Sequence, residues 1–77
     1  MACRIGMTTN PEQRKAQWLT KYPSLVNWKI LKGPIEDKAT AQVEEAYISQ
    51  LLDCESSPGG DDPDDPFAQW YIYRFEY

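Results

Sequence analysis

Four aspartates lie close together near the end of the chain and could bind a hard cation. They are Asp61, Asp62, Asp64 and Asp65. Carboxylate oxygens are the ligands that Ca²⁺ and Mg²⁺ prefer. Their D-D-P-D-D spacing does not match an EF-hand loop, which needs alternating acidic residues, a glycine and a distant glutamate. The pattern therefore predicts a solvated loop, with presentation of phosphate-like negative charge to a basic protein surface as the alternative.

Sulfur and imidazole ligands are scarce. The chain has two cysteines, Cys3 and Cys54, and no histidine, which excludes the common zinc sites. Small secreted folds with disulfide frameworks usually carry four or more cysteines. The count predicts two free thiols in a reducing cytosol, although a single Cys3–Cys54 bridge is geometrically feasible.

Composition narrows the class of protein. The 77 residues carry a net charge of -4 and are 13% aromatic. Such a length predicts a single domain, and buried aromatics can stabilise one this small. The acidic balance disfavours broad nucleic-acid binding and favours a protein partner with a basic surface. No apolar run resembles a signal peptide or a membrane span, so we expect a cytoplasmic protein that does not enter the membrane.

The first half of the chain predicts a strand, a helix and a second strand. The strand covers residues 2–7, where Gly6 predicts a bulge or a close backbone approach. Asn10 and Pro11 predict a helix start, and the helix runs to about Tyr22. Its predicted inner face is Ala16, Leu19 and Tyr22, with Arg14, Lys15 and Lys21 facing outward. Residues 25–32 alternate as a strand that Gly33-Pro34 ends.

The second half predicts another helix, a loop and a final strand. The helix spans 37–53, capped by Asp37. Its predicted inner face consists of Ala39, Val43, Ala46, Tyr47, Gln50, Leu51 and Cys54. An acidic Pro/Gly loop follows at 55–66. From Trp70 the aromatic strand alternates strictly, with Tyr71, Tyr73, Phe75 and Tyr77 on one side. The prediction is an α+β fold, β-α-β-α-β, with a three-stranded mainly antiparallel sheet and two helices packed on one face.

The run Arg4-Ile5-Gly6-Met7-Thr8-Thr9-Asn10-Pro11-Glu12-Gln13-Arg14 resembles the second strand and first helix of GIY-YIG domains. The resemblance extends over residues 3–53. In that family a tyrosine pair, a helix arginine and a metal-holding glutamate cleave phosphodiesters. The resemblance implies that Arg14 is the arginine and that Glu44 or Glu45 is the metal ligand for Mg²⁺ or Mn²⁺. An arginine can stabilise charge that develops on phosphate, and a carboxylate suits a hard metal.

The chain departs from this family at several points. Arg4 occupies the position of the YIG tyrosine, no GIY strand precedes it, and there is no histidine to act as base. One hypothesis repairs the pattern: the C-terminal strand pairs beside residues 3–7, so that Tyr71 or Tyr73 serves as the catalytic tyrosine. Ordinary structural interpretations compete with each role, namely a helix cap, solvated surface charges and core tyrosines.

Aromatic residues suggest interfaces. A core of this size cannot easily enclose three tryptophans, which are Trp18, Trp28 and Trp70. Exposed tryptophans commonly anchor protein contacts. A homodimer could form through the edge of the C-terminal strand. The resulting hypotheses are a non-catalytic binding or regulatory protein on a reduced GIY-YIG-like scaffold without a cofactor, a minimal metal-dependent nuclease, and a phage-type inhibitor of a nucleic-acid-binding protein.

Overall fold

A computed structural model describes residues 2–56 and 68–77 of the chain. Within these ranges the protein is a small α+β structure with two helices and a mixed sheet of four strands. The elements in chain order are β1 (Cys3–Thr8), α1 (Pro11–Lys21), β2 (Val26–Ile35), α2 (Lys38–Leu52), β3 (Glu55–Ser56) and β4 (Trp70–Glu76).

The strands lie in the order β2-β4-β1-β3. Strand β4 runs antiparallel to both β1 and β2, whereas β3 runs parallel to β1. The predicted count of three strands is therefore wrong by one. Residues Glu55 and Ser56, assigned from sequence to the acidic loop, pair instead with Arg4 and Ile5. The rest of that predicted loop, including the four aspartates, lies outside the described residues.

The two helices pack on opposite faces of the sheet, not on one face as predicted. Ile72 packs in a cluster with Ala41 of α2, whereas its neighbour Tyr73 packs in a cluster with Trp18 of α1. Successive residues of a strand point to opposite faces. Because β4 carries large apolar side chains on both sides, each face needs its own cover.

The two faces have different cores. The α2 face is mostly aliphatic and is built around Ile5, Met7, Ala41, Trp70 and Ile72. The α1 face is almost entirely aromatic. Its buried members Leu25, Tyr73 and Phe75 are covered by Trp18, Tyr22, Trp28 and Tyr77.

The predicted helix starts are confirmed. The side chain of Asn10 accepts a hydrogen bond from the Gln13 backbone N–H at 3.3 Å, with Pro11 at the first helical position. The side chain of Asp37 accepts from the Thr40 N–H at 3.2 Å. Side-chain oxygens at this position satisfy backbone donors that the helix itself leaves without partners.

The predicted inner faces of both helices are mostly wrong. In α1, Tyr22 covers the sheet as predicted, but its partner there is Trp18, while Ala16 and Leu19 are exposed and Arg14 is half-buried. In α2 the buried residues are Ala41, Glu45 and Ser49, on the side opposite the predicted stripe. Both predictions followed the aliphatic residues. In α1 the large rings took the inward positions, and in α2 small residues allow the helix close to the sheet.

Strand β2 passes through the dipeptide that was predicted to end it. The Gly33–Pro34 bond is cis, and Gly33 has a φ of 138°, which favours glycine. The pairing with β4 shifts register between Lys32 and Ile35. An edge strand tolerates proline because one side of the strand has no neighbour that needs its N–H.

Two further expectations are corrected. Strand β4 lies inside the sheet with a neighbour on each side, so its edges are already paired and cannot join two copies. Cys3 and Cys54 form a disulfide, with Cα atoms 5.0 Å apart, and are not free thiols. The left-handed conformation of Asp53 turns the chain after α2 and allows β3 to pair beside β1, which brings Cys54 to Cys3.

Among the helices of the described ranges, none combines the length and the apolar character needed to cross a membrane.

Candidate functional site

The start of α1 places Arg14 toward the sheet. Arg14, Trp18 and Tyr22 are four residues apart, and such residues lie on one side of a helix. Trp18 and Tyr22 cover the aromatic core, so Arg14 continues the same row at the N-terminal end of the helix. The arginine is half-buried there.

Tyr73 occupies the centre of the α1 face. It pairs with Gly6 across the β1–β4 ladder, and its ring lies over that glycine so closely that a Cβ at residue 6 would collide with it. The close approach predicted at Gly6 is thereby confirmed. Trp28 stacks on the Tyr73 ring with centroids 4.7 Å apart. The tyrosine is 1% exposed.

The Tyr73 hydroxyl has a defined partner. The indole N–H of Trp18 donates a hydrogen bond to it at 2.9 Å. Burial raises the pKa of Tyr73, while the Trp18 hydrogen bond and the charges of Arg14 and Arg4 act in the opposite direction. The hydroxyl is therefore neutral at physiological pH, and it lies near two guanidinium groups.

Arg4 forms a second cluster on this face. Its guanidinium lies 5.1 Å from the Trp18 ring centroid and 5.7 Å from that of Tyr77. It makes an ion pair with Glu55 at 2.8 Å, and the Tyr77 hydroxyl donates to the same carboxylate at 2.8 Å. Aromatic faces attract cations, so these contacts hold Arg4 in place beside α1.

The two candidate metal ligands have different surroundings. Glu44 forms an ion pair with Lys32 at 2.7 Å. Glu45 is 6% exposed, and burial raises its pKa to about 7. Glu45 lies one helical turn after Ala41, so it faces the sheet from the α2 side. The sheet separates it from the Tyr73 side chain, although its charge still affects the pKa of Tyr73.

The structure therefore brings together Arg14, Arg4 and Tyr73 on one face, with Glu45 behind the sheet. Glu44 belongs to the ion pair with Lys32, and the Tyr71 ring packs against Gly33 in β2. Across residues 2–56 and 68–77 no group of three or more His, Cys, Asp or Glu side chains could hold a metal ion. The catalytic and metal-binding roles of these residues remain predictions.

The three tryptophans differ in accessibility. Trp70 is 3% exposed within the aliphatic core, whereas Trp18 and Trp28 are half-buried in the aromatic cluster. Their role as interface anchors remains a prediction. Within residues 2–56 and 68–77, the most exposed large apolar side chains lie on α2, where Val43, Tyr47 and Leu51 are 69%, 63% and 67% exposed.

Two shallow depressions adjoin Arg14. One, of about 50 Å³, lies at the start of α1 and is lined mainly by polar residues from Thr8 to Gln17, with Trp70 at its side. The other, of about 200 Å³, runs along α1 between Arg14, Trp18 and Lys21. Both are smaller than the pockets that usually enclose organic ligands.

Charge is distributed unevenly along the chain. Residues 1–35 contain six basic residues and one acidic residue, whereas residues 36–77 contain two basic and eleven acidic ones. The first group includes Arg14, Lys15 and Lys21 of α1, and the second includes α2 with its flanks. Although the whole chain is acidic, helix α1 on one face of the sheet is therefore basic.

Sequence reasoning missed the aromatic contacts of Arg4 and the Trp18–Tyr73 hydrogen bond, and it placed the exposed row of α2 on the inner side. The spacing of Arg14, Trp18 and Tyr22 was the signal available for α1. The spacing of Val43, Tyr47 and Leu51 was also visible in the sequence, but it was interpreted as the inner face of α2, whereas these side chains are exposed.

Comparison with known proteins found no match. The chain matches no protein-family model, no curated protein and no solved structure.

Proposed function

We propose that this protein is a small, non-catalytic binding or regulatory protein on a reduced GIY-YIG-like scaffold. The observation that carries the proposal is the arrangement around Tyr73. Its hydroxyl is covered by Trp18, and Glu45 lies on the other side of the sheet. A base, a phosphate-binding arginine and a metal ligand must meet in one open cleft to cleave a phosphodiester, and these side chains do not.

Arg4 supports the same proposal. It stands where the resemblance expects a tyrosine, and it is held between Trp18, Tyr77 and Glu55. An arginine neither releases nor accepts a proton at neutral pH. Its role is to pack the aromatic face, which suits a scaffold that binds.

A cleavage assay tests the proposal directly. Plasmid and single-stranded DNA are incubated with the protein and Mg²⁺ or Mn²⁺, beside Arg14→Ala, Glu45→Gln and the matched surface control Lys15→Ala. The expected result is no cleavage by any of the four proteins. Cleavage that the control retains and that Arg14→Ala or Glu45→Gln loses would overturn the proposal.

A minimal nuclease is the second candidate, and one observation favours it. Strand β4 pairs antiparallel with β1, which is the position of the missing first strand, and places Tyr73 over Gly6 with Arg14 nearby. The metal fits less well, because Glu45 is separated from these groups by the sheet. We therefore assign no step to Mg²⁺ or Mn²⁺.

The distribution of charge favours a protein partner. The eleven acidic residues of the second half could contact a basic protein surface, as an inhibitor of a nucleic-acid-binding protein would. A pull-down with the pure protein at low salt and at about 0.15 M salt separates electrostatic from other association. The cytoplasmic location inferred from sequence also remains a prediction, which cell fractionation would test.

A further inference from the structure

Helix α2 exposes its apolar side, which most surface helices pack against the core. Val43, Tyr47 and Leu51 follow one another at intervals of four residues, and each is more than 60% exposed. The opposite side of the same helix contacts the sheet through Ala41, Glu45 and Ser49. The helix thus places its bulky apolar residues in solvent and a carboxyl group against the core.

This distribution is unfavourable for an isolated domain. Burial of each such apolar side chain would stabilise the fold, while burial of an acid costs free energy. An amphipathic surface helix normally turns its apolar side inward. An apolar row that stays exposed on a folded helix is typical of a contact surface.

The rim of this surface is acidic. Glu36 and Asp37 precede α2, and Asp53 follows its last turn. Between them, the exposed side that includes Ala39, Ala46 and Gln50 is uncharged. Lys38 is the basic residue at this end of the helix. A matching surface therefore needs an apolar centre with positive charge at both ends.

We propose that α2 docks an amphipathic helix of a partner protein, with the apolar side of that helix against Val43, Tyr47 and Leu51 and with Lys or Arg residues facing the acidic ends. This inference rests on the proposed function and names the partner of a binding protein. Helix pairs pack through residues three and four apart, which is the spacing that α2 presents. One helix pair buries less area than a stable complex, so the contact is transient.

Charge argues against a second copy as the occupant. Two copies of α2 in either orientation would bring acidic ends together, and like charges in an interface oppose association. An anionic membrane or a nucleic acid would be repelled by the same ends.

A labelled peptide tests the proposal. The probe is a helix-forming peptide of Leu and Lys with Leu at four-residue spacing, and fluorescence anisotropy measures its binding without metal or nucleic acid. Binding should weaken about tenfold in Val43→Gln/Leu51→Gln. The matched control is Leu19→Gln, which changes a partly exposed apolar residue on α1 and should bind like the parent protein.

The contribution of charge is tested in two ways. One uses a peptide with Glu in place of Lys, and the other uses the protein variant Glu36→Gln/Asp53→Asn. The Glu peptide should not bind, and the variant should bind the Lys peptide several-fold more weakly at low salt. Asn tolerates the left-handed conformation of residue 53, and circular dichroism confirms that each variant is folded.

Unchanged peptide binding by Val43→Gln/Leu51→Gln, equal loss in Leu19→Gln, or equal binding of the two peptides would overturn the proposal. Sedimentation of the parent protein as a dimer that Val43→Gln/Leu51→Gln abolishes would also overturn it, because the occupant would then be a second copy. The peptide assay contains no nucleic acid, so its outcome is independent of the cleavage assay that tests the proposed function.

Discussion

The two faces of the sheet are covered by helices of 11 and 15 residues that are attached in different ways. Helix α1 has no buried residue. It is held by ring contacts such as Trp18–Phe75 at 5.1 Å and Tyr22–Tyr77 at 4.4 Å, together with the partly buried hydrogen bond from Trp18 to Tyr73. Helix α2 has three buried residues, one of them acidic, and the Cys3–Cys54 disulfide follows its last turn.

This contrast shows two ways in which a small domain can hold a helix against its sheet with few residues. Because large rings reach far from the backbone and still bury much surface, the backbone of α1 need not approach the sheet closely. Small side chains bring α2 close but bury little apolar area, so a covalent link beside the helix compensates. We expect the α2 face to respond to redox state and pH, and the α1 face to respond to ring size and hydrogen bonding.

The largest expected effect comes from removing the disulfide. The bridged residues are separated by 51 positions, and closure of a loop of that length contributes about 4 kcal/mol. Cys3→Ser/Cys54→Ser should lose roughly that much free energy of unfolding in urea. Hydrogen exchange should show earlier loss of protection in α2 than in α1. Equal loss in both helices would contradict the difference between the faces.

Gly6→Ala should break the α1 face. The new methyl group would collide with the Tyr73 ring, which Trp28 and Trp18 hold from other sides. Overpacking of this kind costs about 3 kcal/mol, measured by thermal or urea unfolding. Ala46→Ser on the exposed side of α2 is the control and should change stability by less than about 0.5 kcal/mol. A Gly6→Ala protein as stable as that control would show that Tyr73 can move aside.

The buried acid predicts a pH dependence on the α2 face. The pKa of Glu45 is raised by burial to about 7, above the value of about 4.3 for an exposed glutamate. The folded protein then binds more protons than the unfolded chain between these pH values, so stability is highest below about 4.3 and falls as pH rises toward 7. We expect a loss of about 3 kcal/mol over this range.

Glu45→Gln is the matched variant for this prediction, since glutamine keeps the shape and does not titrate. Urea unfolding across the same pH range should show a smaller slope in Glu45→Gln than in the parent protein. Parallel pH profiles for the two proteins would mean that another group causes the dependence.

The smallest expected change in the free energy of unfolding comes from removing the hydrogen bond that joins α1 to the sheet. Trp18→Phe retains a ring but removes the donor to the Tyr73 hydroxyl. Loss of one buried hydrogen bond costs about 1 kcal/mol. A double-mutant cycle with Tyr73→Phe isolates this term from the change in ring size, and an interaction energy near zero would show that the bond does not contribute.

Local chemistry along the chain was sufficient for several features. Asn10, Pro11 and Asp37 predicted the helix starts because capping depends on side chains within three residues. The alternation from Trp70 onward predicted β4, and Gly6 predicted a close approach. The helix faces were not predictable in the same way, since burial of Ala41 and Glu45 depends on how closely α2 can approach β1.

The candidate site depended more heavily on long-range contacts. The choice between Glu44 and Glu45 was open in sequence because adjacent helix residues differ only in the direction they face. The pairing of β4 beside β1, which brings Tyr73 to Gly6 and Arg14, joins segments more than 60 positions apart. No local pattern encodes the partner of such a strand, and the correct hypothesis that the C-terminal strand pairs beside residues 3–7 came from a family resemblance and not from local chemistry.

Composition and short-range patterns thus established an acidic α+β chain with two capped helices and an aromatic final strand. Only the tertiary structure decided that the helices lie on opposite faces, that Cys3 meets Cys54, and that α2 presents Val43, Tyr47 and Leu51 to solvent. The physical reason is the range of the interactions. Caps and strand alternation act over a few residues, whereas burial and pairing are settled by all segments that compete for the same surface.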